Sequence, residues 1–557
     1  MHSMKILNSQ FKLLSSLEKI FFDIPENMPE TSNGSMFKNE IYSFQLATKI
    51  TYDGNERAYL RYEIESELKD FISMYQIGYV PSMLPANPER RCSDYITLEP
   101  GLFPDPMHKL RGELVRIASK RAVSLWFVIE PKEKIAGTFP ITIKVYDEAD
   151  SLLSEKTFTI EIIDVLLPKQ RLKNTCWFYG DCLAALHNTE IGSSEYDEIV
   201  RKYLEVYVKF GHNMILTPIF TPPLDTKIGG ERPTNQLVDV TFENGKYSFN
   251  FDKLDMWIDM CHEFGIEYFE ISHLFTQWGA YFTPKIMATA DGEYKRIFGW
   301  DVEATSDEYV AFLDTFLPKL REYLTEKGVY ESCYFHVSDE PNDKHEEQYK
   351  KTRFLVAKHI DENKMMDAIS DYLFYQKGLI KKPVVATDFM EPFLENNVPN
   401  LWAYYCCGEG VDVSNRFMAM PSYRNRILGY ELYKYNIEGF LQWGYNFWFS
   451  YLSTRVIDPY KETEAEDVLP SGDAYVVYPL DKEGEVVTSL RLYVFGESIQ
   501  DMRALELLES LTSREEVLKL LDDVVGFTKF PRNAEYILNL RETVNNKIKD
   551  AINSKGL

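Results

Sequence analysis

Asp339 and Glu340 are adjacent carboxylates at the end of the apolar run Tyr334-Phe335-His336-Val337-Ser338, and Pro341 follows at once. The run reads as a short buried strand, and Pro341, which has no amide donor, stops its pairing. In α/β proteins ligands bind at the tips of parallel strands. Two acids this close repel, so one of them holds its proton more firmly. A Glu kept protonated near neutral pH is a useful general acid, a role worth ~10²–10⁴-fold in rate. Glu340 takes that role in this reading, and Asp339 stays ionised and holds a substrate group. Glycoside cleavage needs such a proton donor together with negative charge beside the developing cation. If the held group is a 2-acetamido nitrogen, the substrate's own carbonyl can attack and no protein nucleophile is needed. The bland alternative is that Asp339 caps the next helix and Glu340 opens its first turn.

The elements that must position this pair begin at Thr175, where strand-like runs alternate with helical ones. Strands are expected at Cys176–Tyr179, Met214–Ile219, Tyr268–His273, Tyr334–Ser338, Asp367–Ser370, Pro383–Thr387, Leu401–Cys406 and Gly439–Asn446. Helices are expected at Glu195–Phe210, Lys253–Phe264 and Asp307–Lys327. In the third, Tyr309, Val310, Leu313, Phe316, Leu317, Leu320 and Leu324 recur at the spacing of one helix face, with Ser306 as cap and Gly328 as stop. Eight βα units in about 275 residues fit a (β/α)8 barrel, with an open doubly wound sheet as the alternative. The acid pair then ends the fourth strand.

The other strand tips offer polar and aromatic residues, with no lysine and one histidine. The expected pocket is His273, Asp388, Trp402, Tyr404, Tyr405, Trp443, Tyr445, Asn446 and Trp448. Aromatics with carboxylates suit a sugar, although each aromatic alone can equally be core. No GxGxxG follows a strand and no lone lysine sits at a tip, which argues against nicotinamide and pyridoxal chemistry. With no HExxH and no CxxC pair, no metal or other cofactor is expected.

Residues from about 40 to 167 alternate apolar and polar positions between turns, as in Lys156–Val165, and suggest a β-sandwich. The fold class is therefore mixed: an N-terminal sandwich over 1–168, the barrel over 169–480, and a helical C-terminal extension over 481–557 packed on it. The extension's helices are expected at Ser498–Leu511, Arg514–Val525 and Ala534–Asn553. Met1–Asp23 reads as a leading amphipathic helix, since it lacks the basic start and long apolar centre of a signal peptide. A cytoplasmic location is the default.

A chain of 557 residues exceeds one core. Its net charge of −25 argues against nucleic acid and anionic membranes, and leaves a neutral glycan or glycoconjugate as the fitting partner. Seven cysteines, an odd number, suit free buried thiols.

The segment from His336 to Pro341 resembles the signature of glycoside hydrolase family 123. So do Arg426-Ile427-Leu428-Gly429-Tyr430, the run from Gly439 to Trp448, and Pro470-Ser471-Gly472-Asp473-Ala474 followed by Tyr478-Pro479. The resemblance spans about residues 120–505. It implies a β-N-acetylgalactosaminidase-like enzyme, a sandwich joined to a barrel, and substrate-assisted catalysis without a cofactor. Carried over, Asp339 orients the acetamido group and stabilises an oxazolinium, and Glu340 is acid and then base. Tyr404, Trp443 and Asn446 line the sugar pocket, and the acetamido carbonyl meets Tyr404, Tyr405 or Tyr445. Ser489, Arg491 and Asp501 keep the family pattern, whereas Tyr493, Gly496, Ser498, Met502 and Arg503 depart from it. The implied activity is retaining, exo-acting release of terminal β-linked N-acetylgalactosamine. The alternatives are a glycan-binding protein with an inactive site, a glycosidase for another sugar that uses Asp388 or Asp371 as nucleophile, and a purely structural barrel.

Overall fold

The computed structural model describes residues 6–53, 58–132 and 134–555. Eight parallel strands form one sheet: β1 (Lys173–Cys176), β2 (Met214–Thr217), β3 (Tyr268–Ile271), β4 (Cys333–Phe335), β5 (Met366–Ala368), β6 (Lys382–Ala386), β7 (Trp402–Tyr404) and β8 (Gly439–Gln442). Neighbours in the sheet follow chain order, and β8 pairs with β1. Between β4 and β5 a single bridge from Phe335 to Met365 nearly closes the barrel. All eight expected strands are present, each with at least one end shifted. Their residues are largely buried, as expected when helices cover a parallel sheet.

Three helices that cover the barrel's first half are α1 (Gly180–His187), α2 (Ser194–Lys209) and α3 (Asp252–Glu263). The helix after β3, α4 (Asp307–Glu326), buries Tyr309, Phe312, Leu313, Phe316, Leu317, Leu320 and Leu324. Ser306 caps it by accepting from the Tyr309 amide at 3.4 Å. The loops after β2 and β3 each carry a hairpin, Asp239–Glu243 with Lys246–Asn250 and Ile286–Ala290 with Glu293–Phe298. The hairpins join into one four-stranded sheet on the barrel's rim.

The N-terminal region is rich in strands. One sheet of five strands contains Leu152–Ile163 and Gly137–Tyr146, and one of seven contains Tyr42–Tyr52 and Ala122–Ile129. Phe44 of the larger sheet stacks on Phe158 of the smaller at 4.2 Å. Among the described residues the expected leading helix is absent. Ile6–Ser15 is a strand paired antiparallel with Tyr42–Tyr52. Leu13 and Leu14 are both buried, so the sheet offers these side chains two apolar surfaces where a helix would need one stripe. Past this strand, Lys19 reaches the barrel and donates to the carbonyls of Met418 and Met420 at 2.9 and 2.7 Å.

The larger sheet also holds a hairpin from far along the chain, Val477–Leu480 with Val486–Ser489, which pairs with Gly101–Lys109. This hairpin was not among the expected strands. Beyond it lie helices Leu490–Leu511, Arg514–Lys519 and Ala534–Lys555. Among the described residues no helix is long and apolar enough to cross a membrane. The seven cysteines are free.

Candidate active site

The acid pair is set by the residues just before it. Asp367, in β5, accepts from the amides of Val337 and Ser338 at 2.8 and 3.2 Å and from the Tyr349 hydroxyl at 2.6 Å. His336 Nε2 meets Glu270 Oε1 at 2.5 Å, and its Nδ1 lies 3.4 Å from Asp367 Oδ1, an ion-pair contact without hydrogen-bond geometry. Glu270, in β3, also accepts from the Thr175 hydroxyl and the Trp177 indole, each at 2.7 Å. Burial alone would lower the pKa of His336, but its contacts with Asp367 and Glu270 outweigh that and lift it to about 9. The barrel interior thus holds an imidazolium between two carboxylates, directly behind the pair.

Asp339 is half-buried and Glu340 is exposed. Burial, with the charges of Glu340 and Asp225, pushes Asp339 well above the usual carboxylate range, and His336 pulls it back. In the ligand-free protein the raised acid is therefore Asp339, whereas Glu340 was expected to hold the proton. Solvent reaches the Glu340 carboxylate, and like charges crowd Asp339. Glu340 has φ +40°, the left-handed region that a non-glycine residue enters only at some strain. Its Oε1 accepts from the Tyr404 hydroxyl at 2.6 Å. The Trp278 amide contacts the Asp339 carbonyl at 3.3 Å. Trp278 also has positive φ, and its side chain is 43 % exposed.

Three further acids surround the pair. Burial lifts Asp225 to about 6 against the pull of Arg232, and Glu340 adds to the rise. Glu409 is pushed up to about 8 by burial and by Asp388, though it accepts from the Cys406 amide at 2.6 Å. Asp388 is raised by burial, and Arg90, from the N-terminal region, donates to its Oδ2 at 2.5 Å.

The structure brings Asp339, Glu340 and Tyr404 together, with Asp388 near enough for Glu340 to raise it. His273 lies behind them, stacked on His336 with centroids 4.1 Å apart, and both its ring nitrogens are buried without a partner. Trp443 is half-buried and donates its indole N–H to Asp473 at 3.0 Å. The remaining expected pocket residues face the interior. Trp402, Tyr405, Tyr445, Asn446 and Trp448 are fully buried. Tyr445 donates to the Tyr203 carbonyl, Trp448 to the Val477 carbonyl, and the Asn446 amide bridges the backbone of Tyr179. Trp402 lies against Gly439, where a methyl would come within 2.3 Å of its ring. Asp371 accepts from the Leu373 amide and so caps the short helix Tyr372–Gln376.

Sequence reasoning missed Asp225, Trp278, Glu270, Asp367 and Glu409. Glu270 carried a signal, being an acid inside the apolar run Tyr268-Phe269-Glu270-Ile271. Among the described residues no three His, Cys, Asp or Glu side chains converge as metal ligands would.

A nearly closed parallel barrel with paired acids at the tip of its fourth strand is the architecture of a barrel glycosidase. The family model "Glycoside hydrolase 123, catalytic domain" matches residues 177–508, more than half of the chain. The chain belongs to glycoside hydrolase family 123 and is a glycosidase. Its fold is similar to that of a family 123 glycoside hydrolase from Clostridium perfringens, known from work on glycolipid glycan hydrolysis. The TM-score is 0.72 and the identity 15 %, over 98 % of each chain. β-Glucuronidase 2 of Bacteroides uniformis is a distant likeness: TM-score 0.29, 11 % identity, 80 % of this chain and 47 % of that one. So is the β-glucuronidase of Ruminococcus gnavus: TM-score 0.31, 10 % identity, 89 % and 68 %. No curated protein sequence matches the chain significantly.

Proposed function

We propose that this chain is a retaining exo-glycosidase that removes terminal β-linked N-acetylgalactosamine with the help of the substrate's own acetamido group. The observation that carries the reading is the shared strand tip of Asp339 and Glu340, with Asp371 and Asp388 engaged elsewhere. In the free protein, burial and neighbouring negative charge favour the protonated form of Asp339. A bound sugar changes the balance, because its acetamido N–H stabilises an ionised Asp339 and its ring removes water from Glu340. The proton then belongs to Glu340.

The acetamido carbonyl oxygen attacks the anomeric carbon as the glycosidic C–O bond breaks, and Glu340 gives its proton to the leaving oxygen. Glu340, now a carboxylate, takes a proton from water, and that water opens the oxazolinium ring. Asp339 supports the positive nitrogen throughout, and Tyr404 steers the Glu340 carboxyl.

Asp225 favours a second reading. It lies near enough to Glu340 to be raised by it, and no side chain among the described residues bonds its carboxylate. A glycosidase for another sugar could use it as nucleophile.

The test is turnover of aryl β-N-acetylgalactosaminide and aryl β-N-acetylglucosaminide, with a thiazoline mimic of the oxazolinium as inhibitor. The expected result is turnover of the galacto substrate that the mimic blocks. Glu340→Gln should reduce it by ~10²–10⁴-fold, the usual range for a general acid, and Asp225→Asn should retain it. Abolition by Asp225→Asn without inhibition by the mimic would select the second reading.

A further inference from the structure

A cavity of about 860 Å³ lies apart from the acid pair and is not lined by Asp339 or Glu340. It lies beside the tips of β1 and β2, between α1, α2 and α3, with the rim hairpin at its edge. Its volume is in the range of small-molecule sites. A buried ion pair walls it on one side: Arg232 holds both Asp181 oxygens at 2.9 Å. Arg232 in turn packs over Tyr179 at 5.0 Å and Phe449 at 5.3 Å.

Several neutral polar groups line this cavity without a protein partner, the buried Thr189 hydroxyl among them. The Asn235 side chain, 5 % exposed, makes no hydrogen bond to any described residue, and neither does the hydroxyl of Tyr196, 7 % exposed. They sit together over Gly180. A methyl there would come within 2.1 Å of the Tyr196 hydroxyl and 3.2 Å of Asn235 Nδ2. A ligand that seals the cavity must bond both, because a polar group it left buried and unpaired would cost about 1–3 kcal/mol.

We infer that this cavity is a second, non-catalytic binding site for a neutral oligosaccharide. The charge pattern excludes an anion. Lys253 is paired with Asp239 at 2.7 Å, Arg232 is paired with Asp181, and Asp197 and Glu190 stand on the rim. A purely apolar ligand would leave Asn235 and Tyr196 unsatisfied. Asn235 and Tyr196 can both donate and accept, as sugar hydroxyls require. Trp257 lines the cavity, and the exposed Met256 and Tyr294 give its rim an apolar surface for the C–H face of a pyranose. Such a site holds one arm of a larger glycan while another arm reaches the acid pair.

The experiment uses full-length Glu340→Gln protein on an array of neutral and anionic glycans. Hits are titrated by methyl NMR with Met256 and Met260 as reporters, so the readout does not depend on turnover. Neutral glycans should bind and shift both methionines. Tyr196→Phe and Asn235→Leu should each weaken binding about three- to tenfold, the worth of one neutral hydrogen bond. Because neither group has a partner to lose, both variants should keep the thermal midpoint of the parent. Four results overturn the inference: no neutral glycan bound, only anionic glycans bound, binding untouched by both variants, or a lowered midpoint in both that reveals a structural role.

Discussion

Asp339 and Glu340 are covalent neighbours in different surroundings, and that difference can be measured. Asp225 adds to the charge that raises Asp339. Removing a like charge lowers a carboxyl's pKa, so in Asp225→Asn the pair loses its proton at a lower pH. The alkaline limb of kcat/KM should therefore move toward acid in that variant, and an unmoved or alkaline-shifted limb would sink the idea. At this scale the sequence was half legible. Asp339, Glu340 and Tyr404 were readable because polar residues follow or close apolar strands there: Tyr404 ends β7, and the acid pair lies just beyond β4. Trp402, Tyr405, Tyr445 and Trp448 lie in or after β7 and β8 and are buried, because residue type alone does not say which side of the backbone a ring takes. Asp225 and Trp278 were invisible. They lie in long loops after β2 and β3 that reach back to the site, and such loops have no periodicity to read.

The short β4 strand aims the pair, and Asp367 anchors its end from the neighbouring β5. Asp367→Ala frees the amides of Val337 and Ser338 and leaves His336 with one carboxylate in place of two. Breaking such a buried charge pair costs ~3–5 kcal/mol. Urea unfolding should show a loss of that size, and a loss under about 1 kcal/mol, the worth of an exposed pair, would mean that Asp367 is not an anchor. The barrel strands were legible because buried parallel strands are continuous apolar runs. The first was placed too late, at Cys176–Tyr179. Its true residues, Lys173-Asn174-Thr175-Cys176, look polar, and their donors find partners on both faces of the strand. Thr175 donates to Glu270, and Asn174 donates to the Gly211 carbonyl. Ile6–Ser15 was misread as helical because LLSSL fits either period, and only its partner strand decides.

Across the whole molecule, burial holds protons on acids. Asp225 is lifted to about 6, Asp473 and Glu497 to about 7, and Glu409 and Glu431 to about 8. His336 is lifted to about 9. Each of these groups binds its proton more tightly when folded. Its contribution is full below its unfolded value, near 4 for the acids and 6.5 for His336, and is lost as pH rises through the folded value. Lys19, pulled down to about 7, and His212, pulled down to about 3, act the other way, Lys19 above pH 7 and His212 below 6.5. The raised groups outnumber them between pH 5.5 and 8, and the net charge of −25 adds self-repulsion as the acids ionise. The thermal midpoint should therefore fall between pH 5.5 and 8. A rise over that interval would contradict the assignment.

The late hairpin that completes the seven-stranded sheet has a consequence for synthesis. Met107 waits for Thr488, and Pro106 for Ser489. At 5–20 residues per second the ribosome needs roughly 20–80 s to deliver them. For that time one edge of Gly101–Lys109 stands open to any nascent chain nearby. The strand carries Pro104 and Pro106, which have no amide to offer a stranger, so it is guarded while it waits.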